Sequence, residues 1–115
     1  MESILYTKSY ELTLKLIRIA ESLEGKRKFF ISNQLYRCGT SISANISEAN
    51  HAESKKDFVH KLKISSKESQ ETEFWLNIIK DLEFEYIEEE VWDSLNHVQR
   101  MLSKSIATTI KGIST

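Results

Sequence analysis

An all-α fold, an antiparallel up-down-up-down four-helix bundle, follows from three properties of the sequence. There is no proline and there are only three glycines, Gly25, Gly39 and Gly112, so long helices can run uninterrupted and the turns of a many-stranded sheet have little to build them. Apolar residues recur at three- and four-residue spacing through four segments of roughly 18 to 28 residues each. The links between these segments are short, which makes consecutive helices antiparallel neighbours. With 115 residues, 40% of them hydrophobic, the chain can fill one core but not two, and residues 1–115 are expected to form a single domain.

The first helix is predicted over about residues 3–23, with Leu5, Leu12, Leu16, Ile19 and Leu23 on one stripe and Tyr6, Tyr10 and Ile17 on the next. Gly25 should close it. Lys26, Arg27 and Lys28 form the link, and Phe29 and Phe30 are expected to fold over the end of the bundle. Ser32 reads as the N-cap of the second helix, with Ile31 stapled to Tyr36, and the helix should reach about residue 49. Ser54 caps the third helix, with Asp57 three residues later. Its seam of Phe58, Leu62, Ser65, Ser69, Thr72, Leu76 and Ile79 has a hydroxyl-bearing middle, expected to face the polar stripe of the second helix. The fourth helix begins near residue 88, where Glu88, Glu89 and Glu90 suit the positive end of a helix dipole. Its seam is Val91, Leu95, Val98, Leu102, Ser105, Thr109 and Ile113, and Lys111 with Gly112 should mark its end.

The second helix is the most unusual. Residues 38–47 carry no charge in a chain that is 29% charged, and Arg37 and Glu48 bracket them. At about 100° per residue, Arg37, Ser41, Asn45 and Glu48 form a polar stripe. Beside it run an apolar stripe, Leu35, Cys38, Ile42, Ile46 and Ala49, and a small-residue stripe, Gly39, Ser43 and Ser47. A helix without a strongly solvated face is expected to be enclosed partly by other copies of the chain, with Gly39, Ser43 and Ser47 at the oligomer interface. Glu68 and Glu71, set among apolar residues of the third helix, are candidate partners for Arg37.

The run from Arg37 to Ala49 resembles the signature of the four-helix-bundle family encoded by 23S rRNA intervening sequences, often labelled a ribosomal protein. Members read approximately R-x-x-x-S-I-x-x-N-I-x-E, and Arg37, Ser41, Ile42, Asn45, Ile46 and Glu48 match. Asp57-Phe58 and residues 64–76, with Glu71 and Glu73, look like the third-helix pattern. A glycine commonly follows the family's glutamate, where this chain has Ala49-Asn50. The resemblance implies an antiparallel four-helix bundle, assembly as a homopentamer, and no established enzymatic activity. A similar pentameric bundle, the accessory protein of diversity-generating retroelements, binds nucleic acid through a strongly basic surface.

Charge and chemistry narrow the function classes. The net charge of -1 argues against a dedicated basic nucleic-acid binder. It hides an asymmetry, with Lys55, Lys56, Lys61, Lys63 and Lys67 in residues 54–67 and an acid-rich run from Glu68 to Asp93. The lone Cys38 excludes an intrachain disulfide and reads as a small buried hydrophobe. Glu48-x-x-His51 and Asp57-x-x-His60 imitate di-iron motifs, but they flank one turn and cannot converge, so no metal or cofactor is expected. No nucleophile has a histidine placed to activate it, so no catalytic residue is assigned. Arg37, Ser41, Asn45, Glu48, Glu68 and Glu71 read instead as a structural polar network, in which Arg37→Ala would strand a buried carboxylate at a cost of several kcal/mol. No signal peptide and no apolar run near the ~20 residues of a membrane span are present, so a cytoplasmic location is expected. The leading expectation is a non-enzymatic, self-assembling binding or scaffolding bundle, with RNA or a ribonucleoprotein as candidate partner. The alternative is a nucleic-acid-binding accessory protein that places Lys55, Lys56, Lys61 and Lys63 on phosphates.

Overall fold

The computed structural model describes residues 3–114. Four helices follow one another, α1 (Ile4–Gly25), α2 (Phe29–Ala49), α3 (Lys55–Asp81) and α4 (Glu89–Ser114), and there is no strand among the described residues. They form a rod of 51 × 21 × 20 Å in which each helix packs against its sequence neighbours and α4 returns to α1. The all-α bundle is the fold that the spacing of apolar residues predicts.

Hydroxyls set the register of neighbouring helices. Ser32 Oγ donates to the carbonyl of Ala20 at 2.8 Å and Thr13 Oγ1 to that of Gly39 at 3.0 Å, aligning α1 with α2. Ser65 Oγ donates to the carbonyl of Ile42 at 2.7 Å, aligning α2 with α3. The core lies between these contacts, in leucines and isoleucines contributed by all four helices, including Leu12, Leu16, Leu35, Ile42, Leu62, Leu76, Leu95 and Leu102.

The helix ends differ from expectation in instructive ways. Ser54 does cap α3, its Oγ accepting from the Asp57 N–H at 3.0 Å. Ser32 does not cap α2: its N–H already donates to the Lys28 carbonyl, and its hydroxyl is committed to α1. The helix therefore begins one turn earlier, and Phe29 and Phe30 form its first turn, standing 48% and 70% exposed, instead of folding over the bundle. Gly25 is still helical; the left-handed residue that ends α1 is Arg27, with φ 64°. The Lys28 N–H closes back on the Leu23 carbonyl and that of Arg27 on Glu24, a Schellman end without glycine. Glu83, with φ 56°, ends α3 in the same way, its successor Phe84 bonding back to Ile79. α4 runs through Gly112 to Ser114.

A clasp joins the two turns at this end of the rod. Lys26 Nζ pairs with Glu85 and also donates to the Phe84 carbonyl at 2.9 Å, while Ser22 Oγ donates to Glu85 at 2.8 Å. Partial burial pushes the Glu85 carboxyl upward, but the hydrogen bonds from Lys26 and Ser22 prevail and hold it below its ordinary value of 4.5. The folded pKa is the lower one, so the clasp stabilises fully above the unfolded value and is lost as the pH falls through the folded one. Glu85→Gln should therefore lower stability at pH 7, and its deficit against the wild type should shrink once the pH drops below about 4.5. Urea melts across this range check it; a deficit that does not change with pH would contradict the assignment.

Candidate functional site

The predicted polar stripe of α2 resolves into separate pieces. Arg37 reaches α3, where it pairs with Glu71 and lies 3.6 Å from Glu68; Trp75 Nε1 donates to the same Glu71 oxygen at 3.1 Å. The expected partnership of Arg37 with Glu68 and Glu71 is thus present. Ser41 and Asn45 do not join it: Ser41 Oγ donates to the Arg37 carbonyl and Asn45 Nδ2 to that of Ser41, each within its own helix. Glu48 turns instead to Lys61, 2.9 Å away, and this contact raises the Lys61 pKa.

The burial expected of the network is absent as well. The Arg37 side chain is 50% exposed and that of Glu71 32%, so water screens the pair and neither partner depends on the other for solvation. Arg37→Ala is expected to lower stability by no more than about 1 kcal/mol, in place of the several kcal/mol that a buried pair would lose. Chemical denaturation of the single mutant measures this, and a loss above about 2 kcal/mol would restore the buried network.

The small-residue stripe is corrected more sharply. Gly39 and Ser43 are buried within the chain, against α1. Thr13 Oγ1 lies 2.8 Å from Ser43 Oγ, and since its proton goes to the Gly39 carbonyl, Ser43 donates to Thr13. These two residues form the α1–α2 contact and are unavailable to another subunit. Ser47, half-buried, lies at the margin of that contact, with its carbonyl 3.0 Å from His51 Nδ1. The hydroxyls of the α3 seam likewise bond backbone carbonyls, Ser65 across to Ile42, Ser69 to Ser66 and Thr72 to Glu68, and do not meet the polar stripe of α2.

What α2 leaves outside is an uncharged strip. Asn33, Thr40 and Ala44 are exposed, Ser41 and Ser47 are half-exposed, and only Arg37 and Glu48, tied to α3, add charge at its border. At its N-terminal end the strip opens into an aromatic groove of 360 Å³ between α2 and α3, which the sequence reading missed. Phe30 stands edge-on to Trp75, which meets Phe74 in the same manner, and Leu82 and Phe84 complete the wall. Phe74 and Leu82 are 56% and 60% exposed. Phe29-Phe30 and Phe74-Trp75 are adjacent pairs, and two bulky rings about 100° apart on a helix cover more of its circumference than a core-facing stripe readily takes in, which is the signal that marked the patch.

Of the predicted phosphate contacts, Lys61 is engaged by Glu48, and Lys55 lies against the last turn of α4 beside Gly112. Lys56 and Lys63 are exposed and form no ion pair among the described residues. Cys38 is fully buried, and burial pushes its thiol pKa up, away from reactivity. Among the described residues no group of three or more His, Cys, Asp or Glu side chains is placed to hold a metal ion, and no helix is long and apolar enough to cross a membrane.

Residues 1–108 match the family model described as 23S rRNA-intervening sequence protein. A solved structure of a protein of unknown function from the S23 ribosomal protein family of Bacteroides thetaiotaomicron is similar, with a TM-score of 0.74 and 38% identity over 94% of this chain and 99% of that one. No curated protein matches. Four helices, with Arg37, Ser41, Asn45 and Glu48 along the second, accompany a match over nearly the whole length. The chain belongs to the 23S rRNA-intervening sequence protein family.

Proposed function

We propose that this protein is a non-enzymatic, cytoplasmic bundle that assembles with copies of itself into a ring, a homopentamer, and serves as a binding or scaffolding module for RNA or a ribonucleoprotein. The observation that carries the reading is the uncharged outer strip of α2, continuous with exposed Phe29 and Phe30. A soluble helix ordinarily turns charges outward, and an apolar patch beside such a strip marks a surface that another protein covers. The ring size is the one that the resemblance to the family implies, and a second copy would supply the cover.

Sedimentation velocity with light scattering tests it. A discrete oligomer at micromolar concentration, five chains in mass, is expected; a strict monomer there would remove the reading. Salt-dependent gel shifts with single-stranded RNA address the partner. A second reading rests on Lys56 and Lys63, whose charges no carboxylate neutralises among the described residues. It places phosphate on the first half of α3, and neutralising both lysines should then abolish the shift and flatten its salt dependence.

A further inference from the structure

The aromatic groove and the acidic turn between α3 and α4 are two unsatisfied surfaces at one end of the rod, and each supplies what the other lacks. The groove is lined by apolar residues, with Arg27 and Lys28 at its rim. Their charges rest on rings, Arg27 5.7 Å from the Phe29 centroid and Lys28 4.4 Å from that of Phe84. Among the described residues neither has a carboxylate at ion-pair distance, whereas the preceding Lys26 has Glu85. The turn has the opposite character. Tyr86 projects from it 80% exposed, and Glu83, Glu88 and Glu89 around it are exposed and form no ion pair among the described residues. Tyr86 stands with Lys80 and Trp92 and is not among the residues that line its own groove, although Leu82 and Phe84 of the same turn are.

We infer that the groove of one copy receives Tyr86 and the acidic turn of a second copy. The inference rests on the self-assembly reading above and names the surfaces that meet. In a ring whose rods stand side by side, like ends are level, so a groove and a turn at the same end come into register between neighbours. The groove faces outward between α2 and α3 and the turn between α3 and α4. The two sides are adjacent and not opposite, so a contact that joins them turns each subunit relative to the last and curves the row toward closure instead of running it out straight. Tyr86 is a fitting anchor, since an amphipathic ring buries a large area and keeps a polar tip. Arg27 and Lys28 would face Glu83, Glu88 and Glu89, which fixes the orientation of the contact. RNA is a poorer occupant, because the acidic turn of the same chain borders the groove and repels phosphate.

Two half-defective variants test this. Lys28→Glu with Phe30→Ser spoils the groove and leaves the turn; Tyr86→Ser spoils the turn and leaves the groove. Phe30 and Tyr86 are largely exposed, so both variants should keep wild-type helical content and melting behaviour, which circular dichroism verifies. Each alone is expected to sediment as a monomer, with assembly shifted at least tenfold to higher concentration. Mixed in equal amounts, they should form a one-to-one dimer through the single intact groove-and-turn contact. Assembly of either variant as readily as the wild type, or monomers that do not pair on mixing, would overturn the inference while leaving self-assembly standing. A wild type that is itself monomeric would overturn both and leave the groove to a different protein.

Discussion

Replacing Gly39 with leucine is expected to destabilise the bundle by about 3 kcal/mol or more. A Cβ built on Gly39 lies 3.1 Å from Leu16 Cδ1 and 3.2 Å from Leu16 Cβ. The first contact can be relieved by a rotamer change, but the second cannot, because Cβ is fixed to the α1 backbone. Room is made only if α1 withdraws, and that withdrawal stretches the Thr13 bonds to the Gly39 carbonyl and to Ser43. Gly39→Ala separates the competing terms. In a helix interior alanine is favoured over glycine by about 1 kcal/mol, and the overlap with Leu16 should more than cancel this, giving a net loss of about 1 kcal/mol. Denaturant melts at one fixed protein concentration measure both variants. A stabilised Gly39→Ala would show that α1 does not press on this position.

The same glycine shows what a sequence can and cannot say about a bundle. That a neighbour comes close to Gly39 was legible, since a helix-interior glycine carries a cost that close approach repays. Which neighbour was not, because small residues serve an intrachain helix and a second subunit equally well; the partner is fixed by Thr13, whose hydroxyl has no visible target until the two helices are set side by side. Arg37 with Glu68 and Glu71 could be read ahead, as opposite charges at the border of an apolar stripe, but their exposure could not, because it depends on how far α2 and α3 splay at that level. Ser32 resembled a cap for a sound local reason, and a tertiary hydrogen bond to Ala20 overrode it. Gly25 was the residue best suited to a left-handed turn, yet the geometry of the link assigns that conformation to Arg27. The groove was hidden differently: its parts come from two helices, and only the bundle end brings them together.

Leu35→Ala is the second large effect, expected to cost about 3 kcal/mol, within the range of roughly 2 to 5 kcal/mol for a fully buried leucine. Leu35 is 0% exposed. The contacts that bracket it, Ser32 with Ala20 and Thr13 with Gly39, place it level with Leu16 and Ala20 of α1, and the Arg37 pairing with Glu71 places it near Thr72 and Leu76 of α3. Ala20 and Thr72 are short, and the Thr72 hydroxyl is bound to its own helix, so neither can move into the space a lost isobutyl group leaves. The cavity therefore persists, and its lining loses dispersion contacts in addition to the transfer term. Leu14→Ala is the control. At 42% exposure that leucine should lose less than about 1 kcal/mol on truncation. Against a total of about 5 to 15 kcal/mol for a domain of this size, the Leu35 variant should melt roughly 10 °C lower. A Leu35 variant that melts together with the Leu14 variant would mean that the bundle can collapse around the gap, and that its core is less rigidly keyed than the hydroxyl contacts between its helices imply.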